Sequence, residues 1–158
     1  MAIIGIVAVD RNGAIGKGGV LPWRFAVDLR FFREQTTGHA CVMGYKTWLS
    51  LKKPLKERLN IVLSRSSEIA PQDGVLLLRD NLSVLSLKLY LACDLFIIGG
   101  EQIYRAFLPE IDNWIVTEVP LAVEDADTFM PEDYLKGFNA YESRELEENL
   151  VVKFYERA

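Results

Sequence analysis

At 158 residues, half of them hydrophobic and a quarter charged, the chain has the length and composition of one globular domain with a sizeable core. Its formal net charge of -4 excludes a broad basic surface, so nucleic acid and anionic lipid are not expected partners and any anionic ligand must be held by local groups. The apolar run Ile3 to Val9 lacks a charged leader and is too short to cross a bilayer, while Cys41 and Cys93 both sit in apolar runs, which points to buried free thiols in a reducing cytoplasm and no membrane anchor.

Continuous apolar runs alternate with amphipathic ones, the pattern of a parallel sheet covered on both faces. Ile3 to Val9 predicts a first buried strand. Ala26 to Thr36 has helical spacing and Gly38 ends it. A strand over His39 to Met43 then turns at Gly44 into a helix carrying Lys46, Thr47, Trp48 and Leu51. Further strands are predicted at Asn60 to Arg65 and Val75 to Leu78, followed by a helix with capping groups in Asn81-Leu82-Ser83 that runs towards Ala92. Leu95 to Gly100 is a buried strand breaking on two glycines, and a helix over Gln102 to Leu108 stops near Pro109. Trp114 to Val119 is the next strand and Asp125 to Pro131 a loop. Phe138 to Glu145 and Leu150 to Tyr155 close the chain as an antiparallel hairpin. The fold class is therefore α/β in a single domain, a mostly parallel sheet with an antiparallel edge.

One acid stands out. Asp28 follows the glycine-rich Ile15-Gly16-Lys17-Gly18-Gly19-Val20-Leu21-Pro22-Trp23 and precedes Phe32 by one helical turn, with Leu29 alongside. A carboxylate among apolar rings suits a flat nitrogen heterocycle of amidine type, although an acid alone in a first helical turn is also accounted for by the helix dipole. In an open parallel sheet ligands gather beyond the carboxyl ends of the strands, and two turns there look built for phosphates. Gly44-Tyr45-Lys46-Thr47 offers backbone N–H groups, an ammonium and a hydroxyl, and Gly99-Gly100 lets backbone approach a ligand closely. Ser64-Arg65 adds a hydroxyl and a guanidinium suited to a phosphate monoester. None of these turns is specific by itself. The single His39 supports no triad or metal cluster, and no metal is expected.

Ile6-Val7-Ala8-Val9, Ile15-Gly16, Leu21-Pro22-Trp23, Asp28-Leu29 with Phe32, Val42-Met43-Gly44 with Lys46-Thr47-Trp48, Pro54-Leu55, Arg58-Leu59-Asn60, Leu63-Ser64-Arg65, Ile97-Ile98-Gly99-Gly100 with Ile103-Tyr104, Thr117 and Asp127-Thr128-Phe129 occur in one order. In that order the chain resembles the dihydrofolate reductase family over almost its entire length. The resemblance implies a single domain over residues 1–158, built on an eight-stranded, mostly parallel sheet flanked by helices with a C-terminal antiparallel hairpin. It implies NADPH as cofactor, dihydrofolate as the small-molecule substrate, and a monomer.

By that resemblance Asp28 binds the pterin edge, with Leu21 and Trp23 controlling a proton-delivering water and Thr117 hydrogen-bonded to the acid. Hydride passes to pterin C6 while N5 gains a proton. Ile6, Val7 and Ala8 line the pterin site, and Leu29, Phe32, Leu51 and Leu55 flank the ring and aminobenzoyl group. Arg58 pairs with the substrate's α-carboxylate, although Lys52, Lys53 and Lys56 crowd the same loop. Gly44, Lys46, Thr47, Leu63, Ser64 and Arg65 hold the adenosine phosphates. Ile98, Gly99, Gly100, Gln102, Ile103 and Tyr104 line the diphosphate and nicotinamide side, where Ile98 and Tyr104 also reach substrate and Ala8 also meets cofactor. Ile15, Gly16 and the loop from Lys17 to Leu21 cover the nicotinamide. Tyr45 and Glu101 belong to the cofactor turns but depart from the family pattern: Tyr45 stands where many relatives carry a cation, and Glu101 would repel a diphosphate unless its side chain points away. A reductase of riboflavin synthesis shares this fold and cofactor, but Leu21-Pro22-Trp23 with Asp28 favours a folate.

Overall fold

In the computed structural model, which describes residues 1–18, 23 and 25–158, the longest apolar runs become strands of one sheet. In chain order the strands are β1 (Ile3–Val9), β2 (Ala14–Gly16), β3 (Ala40–Gly44), β4 (Leu59–Leu63), β5 (Val75–Leu78), β6 (Leu95–Gly99), β7 (Asn113–Glu118), β8 (Thr128–Phe129), β9 (Phe138–Glu145) and β10 (Val151–Arg157). The helices are α1 (Ala26–Thr36), α2 (Tyr45–Ser50), α3 (Asn81–Ser86) and α4 (Glu101–Phe107). Eight strands form one sheet in the order β5-β4-β3-β6-β1-β7-β10-β9. The six from β5 to β7 are parallel, and β10 and β9 add the antiparallel hairpin. Residues 1–158 thus carry the α/β architecture expected from the apolar pattern.

Because successive strand residues point to opposite faces, each buried strand feeds two cores. Ile3, Val7, Val42, Ile61, Ile97 and Trp114 pack on one face, together with Val84 of α3 and Tyr104 and Phe107 of α4. Ile6, Cys41, Met43, Val62, Phe96 and Ile115 pack on the other, together with Phe31 of α1. Helix α1 buries Val27 and Phe31, one turn apart, and Phe31 meets the Phe154 ring edge-on at 6.3 Å. Burying a ring of this size stabilises the fold by about 2–3 kcal/mol. The expected Asp28–Phe32 face is therefore the half-buried edge of α1, and Leu29 beyond it is 52% exposed. Gly38 takes a left-handed φ of 84° just past α1, as a helix stop requires.

Two departures from the sequence reading are local. Residues 125–131 are not all loop: β8 pairs antiparallel with β2, a two-stranded sheet too short to show a periodicity. The helix expected from Asn81 to Ala92 ends at Ser86, giving way to a 3-10 turn over Leu87–Leu89, and its cap is Asp80, whose carboxylate accepts the Ser83 N–H at 2.8 Å. Leu82, Leu89 and Tyr90 are left largely exposed. Cys41 is buried and free, its thiol pushed up to about 12 by that burial, whereas Cys93 is only partly buried. His39 accepts the Asp94 N–H on Nδ1 and stands edge-on to Phe96, a structural role. At the centre, Gly5 of β1 lies opposite Trp114 of β7, and a Cβ there would overlap the indole ring.

Candidate functional site

Strand parity places the substrate-side candidates. Ile6 joins the core beneath α1, with Ile98 of β6, Phe32, Leu51 and Leu55 at its border. Ala8 lies opposite Thr117 in the β1–β7 register and borders the cluster containing Trp23 and Val27. Asp28 looks onto this surface from α1. Burial raises its carboxyl pKa, and a hydrogen bond from the buried Thr117 hydroxyl offsets the rise only in part, so the net shift is upward. The Trp23 indole is buried, and its N–H finds no acceptor among the described residues. Val7 departs from expectation: its side chain packs on the opposite face, with Tyr104 and Trp114, so only its backbone is at the α1 surface. Leu29, being exposed, stands at the rim.

The carboxyl ends of the parallel strands form a second, more polar edge. Gly44 ends β3 and Gly99 ends β6 beside it; a Cβ on Gly44 would come within 3.1 Å of Ile103, and one on Gly99 within 3.3 Å of Tyr104. The Gly99–Gly100 peptide is cis, and a Cβ on Gly100 would lie 3.9 Å from the Thr47 hydroxyl. Glycine at 44 and 99 thus lets two strand-to-helix turns pack closely on Ile103 and Tyr104 and meet at this edge. The Tyr104 hydroxyl donates to the Ile6 carbonyl at 2.7 Å, fixing that ring beneath the glycines. Lys46, Arg65 and Gln102 are exposed, and neither cation is in an ion pair among the described residues. Tyr45 is partly buried against the core beneath α1. Glu101 is held by Arg105 at 3.0 Å along α4, which neutralises part of its charge.

Ser64 and Arg65 follow β4 into a loop held by Arg79, a residue that no motif singles out. The Arg79 guanidinium donates to the carbonyls of Ser64 (3.2 Å) and Ser67 (2.6 Å) and to Glu68 (2.7 Å). The Ser64 hydroxyl accepts the Ser67 N–H at 3.1 Å. Leu63, buried at the end of β4, supports this loop from below.

Leu21 and the rest of 19–22, the centre of the expected covering loop, lie outside the described residues. Its near end begins at β2. Ile15 and Gly16 belong to β2, and the Gly18 N–H is accepted by Asp127 at 2.8 Å. Asp10, 4% exposed, accepts backbone N–H groups of Asn12, Ala14 and Val123, each at 2.8 Å. Burial raises its pKa, but the three donors outweigh that and the net shift is downward. Asn12 and Ala14 are local partners, but no sequence pattern announces Val123, which lies 113 residues from Asp10.

Arg58 is half-buried beside α1. Its Nη1 donates to the Thr36 hydroxyl at 3.1 Å, its Nε donates to the Lys56 carbonyl at 2.8 Å, and its guanidinium lies 6.0 Å from the Phe32 ring centre. Burial lowers its pKa without threatening its charge. Among the described residues no three His, Cys, Asp or Glu side chains gather as metal ligands, and no helix is long and apolar enough to cross a membrane.

A family model described as dihydrofolate reductase matches residues 2–156. The dihydrofolate reductase of Haemophilus influenzae is 35% identical over 127 residues, covering 80% of this chain and 77% of that protein. That of Mycobacterium leprae is 39% identical over 139 residues, covering 83% and 82%. Among solved structures, a dihydrofolate reductase from Enterococcus faecalis complexed with NADP(H) and RAB-propyl superposes with a TM-score of 0.88 at 28% identity, covering 99% of this chain and 96% of that one.

Proposed function

Since the chain belongs to the dihydrofolate reductase family of NADPH-dependent oxidoreductases, we propose that it reduces 7,8-dihydrofolate to 5,6,7,8-tetrahydrofolate, by hydride transfer to pterin C6 and protonation at N5. The observation that carries this reading is Asp28: a carboxyl with its pKa raised by burial, facing an apolar surface, with the Thr117 hydroxyl as partner. Such a group accepts the paired N–H donors of a 2-aminopyrimidinone edge and favours protonation of the ring it holds. The apolar surface of Ile6, Phe32 and Ile98 excludes water from the face where charge develops, and Leu51 and Leu55 continue it along the aminobenzoyl group. The buried Trp23 N–H fits the holding of one water at the pterin, which, with Leu21, is the route we assign to the N5 proton.

The carboxyl edge fits NADPH. The turns after β3 and β6 meet at Gly44, Gly99 and Gly100, where glycine lets a ligand approach the backbone, and Lys46 and Arg65, exposed and in no ion pair among the described residues, lie on the turns after β3 and β4. Bound there, NADPH supplies the hydride. Thr47 and the Gly44 turn bind the diphosphate. Lys46, with Arg65 and Ser64 on the loop fixed by Arg79, binds the adenosine 2′-phosphate and so favours NADPH over NADH. Gly44, Ile98 to Tyr104 and Ala8 shape the wall of the cleft, and Ile15 and Gly16 begin its cover. Arg58 takes the α-carboxylate of the substrate tail. As a monomeric cytoplasmic domain, the protein would supply tetrahydrofolate for one-carbon and thymidylate metabolism.

The deciding experiment is a steady-state assay with purified protein. Loss of absorbance at the nicotinamide band should require both NADPH and dihydrofolate. Oxidation without dihydrofolate, or none with it, defeats the reading.

A further inference from the structure

Asn60 has no role in the chemistry above, yet it is the most heavily engaged polar side chain near the substrate tail. It is 1% exposed, the second residue of β4, and its carboxamide makes a two-way pair with the backbone of Leu55. The Leu55 N–H donates to Oδ1 at 2.9 Å, and Nδ2 donates to the Leu55 carbonyl at 2.9 Å. Nδ2 also lies 3.1 Å from the Arg58 carbonyl and 3.4 Å from that of Gly74. The side chain thus acts as a strand partner for the loop between α2 and β4 while holding the carbonyl of the residue that ends it.

That loop is otherwise held at points, by Leu51 and Leu55 on the core beneath α1, by Arg58 on the Thr36 hydroxyl and by the Glu57 carbonyl. A cleft of about 440 Å³ opens beside it, lined by Lys53, Leu55, Lys56, Arg58, Asn60 and Asp73 among others, so close packing does not fix it from that side. Glu57 at its tip has a left-handed φ of 59°, and the Glu57 carbonyl accepts the Gly38 N–H at 2.8 Å. Between that anchor and α2, the carboxamide fixes Leu55 on one side of the turn and Arg58 on the other. A neutral group offering both an acceptor and two donors is required: an aspartate would face three carbonyls with no N–H to give, and an alkyl side chain would leave buried backbone groups unpaired.

We propose that Asn60 is a positioning residue for the substrate's carboxylate-bearing tail, setting Leu55 and Arg58 in place without touching the ligand. The inference rests on the assignment of Arg58 and Leu55 to that tail. Asn60→Asp keeps the size and the acceptor but loses the donors, and Asn60→Ser shortens the side chain. In each, KM for dihydrofolate should rise about tenfold, the order of one well-placed charge-assisted hydrogen bond. The kcat and the KM for NADPH should stay within about twofold, since neither centre lies on this loop.

Two controls separate this role from general damage. Turnover of a 7,8-dihydropterin lacking the aminobenzoylglutamate should match that of the unsubstituted protein. In an Arg58→Ala background, either Asn60 substitution should add less than about a twofold further rise in KM. Equal losses with full and tail-less substrates, additive losses with Arg58→Ala, or an unchanged KM while Arg58→Ala raises it would overturn the inference. An Arg58→Ala protein with unchanged KM would instead remove the tail assignment, and this inference with it. If one Asn60 variant does not fold, the other carries the test. If neither folds, the carboxamide is a folding determinant and the positioning role is rejected.

Discussion

The two sides of the cleft are built on opposite physical terms. Beneath α1, one carboxyl and one hydroxyl sit in an apolar wall, and burial raises the acid's pKa. Along the carboxyl edge, exposed cations stand on strand-end turns, two of them built on glycine, and burial contributes little. The first surface is tuned by desolvation and should be nearly indifferent to salt. The second works through charges in water and should feel ionic strength strongly.

The sharpest way to break this contrast is Asp28→Asn. At neutral pH its kcat should fall on the order of a hundredfold or more, with NADPH affinity almost unchanged; steady-state rates and a cofactor titration check both. Next in size, Lys46→Ala combined with Arg65→Ala should raise KM for NADPH about a hundredfold and leave KM for NADH within a few-fold, and the salt dependence of KM for NADPH should flatten. Equal effects on both cofactors would remove the 2′-phosphate role.

A third test uses stability. The pKa of Asp28 is higher in the folded protein than in the unfolded chain, so folding favours the protonated form. Its favourable contribution is complete below the unfolded carboxylate range and is lost as pH rises through the raised value. Asp28→Asn should therefore melt higher than the unsubstituted protein at pH 7 and not at pH 3, by roughly 2–4 °C for each kcal/mol. Asp10 has the opposite sign, because its pKa is lowered. The stability it gives is present above the unfolded value and is lost as pH falls through the folded one, so Asp10→Asn should narrow the gap between neutral and acid melting temperatures. Smaller still, Thr117→Val should move the pH profile of kcat/KM upward by removing the partner that restrains Asp28. Glu101→Gln should change KM for NADPH by less than about twofold, because Arg105 already engages that carboxylate.

What the sequence revealed follows the same division. Strands buried on both faces read as continuous apolar runs, so β1, β3, β4 and β6 were legible, as was α1 with its stop at Gly38. Helical spacing found α1 and put Asp28 and Phe32 together on one face. Val27 and Phe31 hold the helix down, which leaves Asp28 and Phe32 at the edge where a ligand can reach them and puts Leu29 at the rim. β2 and β8 are three and two residues long, too short for alternation to register. The parts of the site made of side chains on backbone, Asp10 on Val123, Asn60 on Leu55 and Arg79 on Ser67, depend on pairings that no local spacing encodes. The two glycine turns, by contrast, were visible because glycine is itself the signal.

The contact between Gly5 and Trp114 ties two positions into one inherited decision. Any residue with a side chain at the first site needs a smaller ring already installed at the second, and that smaller ring would leave a hole until the gap was filled. Drift in a lineage must take these steps in a fixed order, through a weakened intermediate. A descendant that has lost the indole should be the only background in which the glycine is free to vary.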